Sequence, residues 1–169
     1  MVLGAGAIAQ AVQQQLSGFG CQVQLLARTA PQAQLHSREE LAAALPQTDI
    51  VVNCLPGSAV GFFSADLLAA LPPGSLYASV GRGTTTDEPA LVAALQAGRL
   101  GGAVLDVTAA EPLPPGHPLW TLPNVLLTQH TGGGQPHEAE GKVAQLLRNL
   151  QLLQAGQPLE NQVELGKGY

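Results

Sequence analysis

Three residues of this chain could move a proton and hold an anion together: Arg82, Glu111 and His130. They are a permanent cation, a carboxylate and an imidazole that titrates near neutrality. Each ends an apolar, strand-like run or lies just past one. Arg82 follows Ser75–Val80, Glu111 follows Gly102–Val107, and His130 follows Val125–Thr128. In a parallel nucleotide-binding sheet, chemistry gathers at the carboxyl ends of the strands. A guanidinium can clamp a carboxylate and polarise a ketone. An imidazole can protonate the oxygen that gains charge when hydride reaches the keto carbon. Glu111 would orient the ring through its far nitrogen and, by charge proximity, favour its protonated form. The set implies hydride transfer to a small 2-keto acid, or the reverse from a 2-hydroxy acid.

Hydride transfer needs a carrier, and the chain opens on a turn suited to one. Gly4-Ala5-Gly6-Ala7-Ile8-Ala9 follows the strand Met1–Leu3 and begins the helix Ile8–Ser17. Gly4 permits the turn, Gly6 lets the backbone approach a pyrophosphate, and Ala9 is small enough for helix-strand packing. Unpaired N–H groups at the helix start then face the phosphates. An acid on the second strand, Gln22–Leu26, would select the 2′-hydroxyl of NAD. The chain reads Ala27-Arg28-Thr29 there. Ala27 removes the repulsion a 2′-phosphate would meet, and Arg28 can pair with it, so NADP is expected over NAD.

The elements that must position these groups alternate along the chain. A capping box, Ser37-Arg38-Glu39-Glu40, opens the helix Arg38–Leu45. The continuous apolar run Asp49–Leu55 reads as a strand buried on both faces. Ser64–Leu71 is a short helix. Asp87-Glu88-Pro89 opens the helix Pro89–Ala97, and Pro136–Ala155 is a long closing helix. A Pro-rich loop, Glu111–Pro118, lies between the last two strands, and Trp120 is expected to pin it to the core. Phe62 and Phe63 are expected to seat the loop Pro56–Gly61. Repeated strand-helix-strand units give a mainly parallel α/β sheet of about six or seven strands with helices on both faces.

Composition limits the alternatives. The formal net charge of −5 offers no nucleic-acid surface. No polybasic run argues for membrane contact, and the apolar opening lacks a positive n-region. Cys21 and Cys54 make no spacing motif and read as buried, reduced thiols, which puts the chain in the cytoplasm. His36, His117 and His137 have no partners at metal-ligand spacing, so no metal is expected.

In this order the motifs resemble the D-isomer-specific 2-hydroxyacid dehydrogenase family. The likeness runs from Gly81-Arg82-Gly83 through Asp87-Glu88-Pro89, Gly102–Val107, Glu111-Pro112-Leu113 and Pro118-Leu119 to Thr128-Gln129-His130. It implies a Rossmann-type, doubly wound coenzyme domain over residues 1–155, with a tail at 156–169. It implies that Arg82, Glu111 and His130 are the catalytic set, and that Ala7 and Ile8 lie along the pyrophosphate. Leu55 and Pro56 would line the adenosine or nicotinamide side. Asp106 would meet the carboxamide, and Val80, Gly81, Arg82 and His130 through Gly132 and Gly133 would wall the nicotinamide pocket. Ala27-Arg28-Thr29 looks like the NADP-preferring glyoxylate/hydroxypyruvate reductases, and the family suggests a homodimer. Gln129 departs from the Pro usual before the catalytic His. The family's substrate domain, built mostly ahead of the Gly turn, has no counterpart in these residues. Little turnover is therefore expected of this polypeptide alone. A silent dinucleotide-sensing module and a truncated fragment are the competing readings.

Overall fold

The computed structural model describes residues 1–134 and 136–163. The chain falls into two compact units, Met1–His130 and Thr131–Tyr169. The first is built on six strands: β1 Val2–Leu3, β2 Leu25–Leu26, β3 Ile50–Asn53, β4 Leu76–Ser79, β5 Gly102–Leu105 and β6 Val125–Leu127. All pair in parallel, in the order β2-β1-β3-β4-β5-β6. The chain leaves β1 for β2 on one side and returns through β3 on the other. The carboxyl ends of β1 and β3 therefore flank the switch point where such sheets bind ligands.

Side-chain alternation divides the sheet into two faces. Leu3, Leu26, Val51, Tyr77, Ala103 and Leu105 pack in one cluster with leucines of α2 (Arg38–Ala44), α3 (Ala65–Ala70) and α4 (Glu88–Gln96). Most of these side chains are almost wholly buried, each contributing about 2 kcal/mol. On the opposite face Val2, Leu25 and Val52 pack against Ala9, Val12 and Leu16 of α1 (Ala7–Ser17). That face is only half covered within the first unit. Its continuation through Leu76, Val104 and Leu126 is exposed.

The helix starts follow the capping rules. Ser37 Oγ accepts from the Glu40 N–H at 3.1 Å, and Asp87 caps α4 by accepting from the Ala90 N–H. The Glu40 carboxylate reaches one residue further back than a capping box predicts, to the His36 N–H at 2.5 Å. β2 is shorter than Gln22–Leu26 because β1 begins only at Val2, so residues 22 and 23 have no ladder partner. Cys21, expected in a buried strand, is instead exposed, and Cys54 is half-buried. Burial pushes the Cys54 thiol up to about 11, so it stays protonated at neutral pH.

The second unit holds α5 (Glu138–Gln154), two residues later in its start than the sequence pattern suggests. His137, in the left-handed region at φ 65°, precedes it. Residues after Gly156 turn back on α5: Glu160 pairs with Arg148 at 3.1 Å and exchanges two hydrogen bonds with Asn149. Of the expected tail, residues 164–169 lie outside the described residues.

Candidate functional site

The opening turn has the geometry of an anion cradle. Gly4 sits at φ 113°, open only to glycine without strain, and its N–H donates to the Leu26 carbonyl at 2.8 Å. Gly6 is the extended N-cap of α1, and a Cβ added there would meet nothing within 4 Å. No side chain caps α1 and no acid stands in its first turn. The first-turn N–H groups have no intrahelical partner, as a pyrophosphate site requires. Ala7 and Ile8 are exposed beside this turn, while Ala9 is buried against the sheet.

Arg28 and Thr29 lie exposed just past β2. Among the described residues no ion pair engages Arg28. The bend they occupy is held from behind: the Ala27 N–H donates to the Leu35 carbonyl at 2.9 Å, and the Ala27 carbonyl lies 2.8 Å from His36 Nδ1. His36 thus steadies the end of β2.

Leu55, Pro56 and Val80 are half-buried at the ends of β3 and β4. Arg82 is exposed, its Nη1 donating to the Gly81 carbonyl at 2.7 Å. The two flanking glycines answer a packing demand rather than making room for a ligand. A Cβ at Gly81 would lie 2.4 Å from the Leu55 carbonyl oxygen, and one at Gly83 would lie 2.0 Å from the Thr108 carbonyl. Neighbouring backbones therefore press on both sides of Arg82 and fix where it emerges.

His130 Nδ1 lies 2.7 Å from Glu111 Oε2. The other carboxylate oxygen, Oε1, accepts the Thr108 N–H at 3.0 Å. The hydrogen bond from His130 is the main reason the Glu111 carboxyl titrates below its ordinary value. Partial burial works against this, while the Thr108 N–H and the charges of His130 and Arg82 add to it. His130 and Arg82 thus both act on the Glu111 carboxylate. His130 takes φ 57°, an uncommon conformation for a side chain with a Cβ. Asp106 is buried at the end of β5, where its Oδ1 accepts the Thr128 hydroxyl at 2.5 Å. Gly132 and Gly133 belong to the second unit, where both are exposed in a turn.

Trp120 departs from its expected place. Trp120 is exposed and does not reach the core. Its Nε1 donates to the Pro114 carbonyl at 3.0 Å, so it ties the Pro-rich loop to itself. Leu119, beside it, is the buried anchor. Phe63 is fully buried and stacks on Tyr77 at 5.2 Å between ring centroids.

Sequence reasoning missed Asn53 and Glu88. Asn53 is buried under the Arg82 loop in a polar cluster with Tyr77, Thr85 and Thr86. Its signal was a lone amide in the otherwise apolar run Ile50-Val51-Val52-Asn53. Glu88 accepts the Ala109 N–H at 2.8 Å and lies 3.5 Å from His117, so it anchors both ends of the loop carrying Glu111.

Residues 1–132 match the profile of the D-isomer specific 2-hydroxyacid dehydrogenase, NAD binding domain. Glyoxylate/hydroxypyruvate reductase A of Salmonella heidelberg (strain SL476) is 36% identical over 175 residues, covering 99% of this chain and 55% of that protein. The chain thus spans about half the length of the curated relatives it matches. A D-isomer specific 2-hydroxyacid dehydrogenase from Xanthobacter autotrophicus Py2, solved with NADPH and MES, is 37% identical with a TM-score of 0.90. The likeness covers 99% of this chain and 71% of that one. The NADPH-dependent glyoxylate/hydroxypyruvate reductase SMc02828 of Sinorhizobium meliloti, solved with NADP and sulfate, is 29% identical with a TM-score of 0.88. Here 99% of this chain and 56% of the other are covered. The Gly-rich opening turn, the Arg82 loop and the Glu111–His130 pair stand in the fold such proteins use, and the chain belongs to the D-isomer-specific 2-hydroxyacid dehydrogenase family.

Proposed function

We propose that this chain is the coenzyme-binding part, residues 1–155 followed by a tail at 156–169, of an NADPH-dependent reductase of small 2-keto acids. Glyoxylate and hydroxypyruvate are the substrates that its named relatives suggest. The observation that carries the reading is the 2.7 Å contact between His130 Nδ1 and Glu111 Oε2. A carboxylate accepts only, so Nδ1 holds the proton and Nε2 is the nitrogen left to exchange one.

NADPH, when bound, would supply the hydride. The open N-terminus of α1 with Gly4, Gly6, Ala7 and Ile8 would hold its pyrophosphate. Arg28 and Thr29 would meet the 2′-phosphate. Leu55, Pro56, Val80, Gly81 and Asp106 would surround the remainder. Arg82 holds the substrate carboxylate and draws charge onto the ketone oxygen. His130 delivers its Nε2 proton to that oxygen, and Glu111 keeps the ring oriented while doing so. In the reverse direction neutral His130 takes the proton back. The same reading places the chain in the cytoplasm, as a homodimer acting on a small acid and on neither nucleic acid nor membrane. The dimer rests on family likeness alone. Among the described residues no helix is long and apolar enough to cross a membrane.

Fluorescence titration with NADPH and NADH tests the coenzyme assignment. NADPH should bind more tightly, and Arg28→Ala should weaken NADPH roughly tenfold while leaving NADH unchanged, the loss of one charge-assisted pair. Tighter binding of NADH by the unaltered chain would end the assignment.

A further inference from the structure

β3 is apolar until its last residue, and there it buries an amide completely. The carbonyl of Asn53 and both polar atoms of its side chain are engaged. Its carbonyl accepts the N–H groups of both Val80, at 3.0 Å, and Gly81, at 3.1 Å. Its side-chain Oδ1 accepts the Leu55 N–H at 3.0 Å. That bond fixes the amide orientation, because a flipped amide would set a donor against a donor. Nδ2 then donates to Tyr77 Oη and Thr85 Oγ1, both at 2.9 Å, with Thr86 Oγ1 further off at 3.3 Å.

These bonds fix the directions of the hydroxyls. Thr85 Oγ1 accepts from Asn53, so its own proton is free for the Arg82 carbonyl, 2.6 Å away. Tyr77 likewise accepts from Asn53 and can give its proton to Thr86 Oγ1 at 2.5 Å. A leucine would suit this apolar strand without the cost of desolvating an amide. The cluster lies where the chain leaves β3 and β4 together, beneath the two segments assigned to the coenzyme and the guanidinium.

We propose that Asn53 is a positioning residue: one amide holds the Leu55 backbone and, through the Thr85 hydroxyl, the backbone of Arg82, so that both loops keep a common register against the coenzyme. The proposal rests on the reading of this groove as an NADPH site. It assigns Asn53 and Thr85 no contact with coenzyme or substrate.

Thr85→Val removes the hydroxyl at constant shape, and Nδ2 still has Thr86 Oγ1 to turn to, so the fold should persist by circular dichroism. Thr85→Ser restores the hydroxyl. Fluorescence titration should show NADPH binding weakened roughly three- to tenfold in Thr85→Val, the value of one hydrogen bond, and recovered in Thr85→Ser. In an Arg82→Ala background, which keeps the residue-82 carbonyl, the same Thr85→Val change should cost as much, since the Thr85 hydroxyl holds backbone and not the guanidinium. Unchanged affinity in Thr85→Val, a loss that Thr85→Ser does not recover, or a loss that disappears when the Arg82 side chain is removed overturns the proposal. An unaltered chain that binds no NADPH sinks the functional reading instead. The link is then read in the unliganded chain by nuclear magnetic resonance. Thr85→Val should shift the Arg82 and Gly83 amide signals and Thr85→Ser should not, and signals unmoved by either change overturn the proposal.

Discussion

Two hydrogen bonds reach the Glu111 carboxylate from opposite sides, one from an imidazole and one from a backbone N–H. Both favour the ionised form, so Glu111 titrates below its ordinary value of 4.5. A group whose pKa is depressed by folding stabilises the fold above its unfolded value and loses that contribution as pH falls through the folded one. Urea midpoints measured from pH 7 downward should thus hold to about pH 4.5 and fall below it. Glu111→Gln should flatten part of that acid limb, and an acid limb identical in the variant would show that the pair adds nothing to stability. The carboxylate is partly exposed, so the effect is small. Arg82, Glu111 and His130 were legible in the sequence because each is a charged or titratable type at the end of an apolar run. The work of Gly81 and Gly83 was not, because the backbones that press on them come from residues 54–55 and 108–109. Asn53 was passed over because a single polar residue in a strand gives no spacing signal; its three partners lie 24 to 33 residues away.

At the scale of elements, the sheet is finished on one face and half open on the other. Hydrophobic pattern made the strands legible but overran their ends, since ladder pairing depends on where the neighbour begins. The pattern also could not tell that Leu76, Val104 and Leu126 lie on the same side as Val52 yet beyond the reach of α1, because covering is a property of helix placement. Position on the sheet should therefore decide the cost of truncation. Leu126 is 59% exposed, whereas Leu91 is 2% exposed. Leu126→Ser should change the unfolding free energy of this chain by less than about 0.5 kcal/mol, as for a surface site. Leu91→Ala should cost about 2–5 kcal/mol through lost burial and the cavity left behind. Urea titration of the two variants checks this, and equal losses would mean that the open half of the face is covered in solution.

At the scale of the whole molecule, coenzyme capture and proton delivery place different demands on this chain. The phosphate turn asks only for backbone N–H groups and a helix start, and the first unit supplies both. Proton delivery asks more, because charges aimed at a developing oxyanion lose most of their strength in contact with water. The imidazole of His130 is 44% exposed and the carboxylate of Glu111 38% exposed, in a chain that spans 55% of its reductase relative. NADPH should bind to this polypeptide with glyoxylate-dependent oxidation at least about a hundredfold slower than in the full-length relative, the size of penalty that imperfect placement alone can impose. His130→Ala should abolish the residual turnover and leave the NADPH titration unchanged. Turnover at the relative's rate would show that the exposed groups suffice, and tight binding with none at all would favour the sensing module. Equal residual rates with and without the imidazole would remove His130 from the chemistry, because a general acid that can be deleted without loss is not moving the proton.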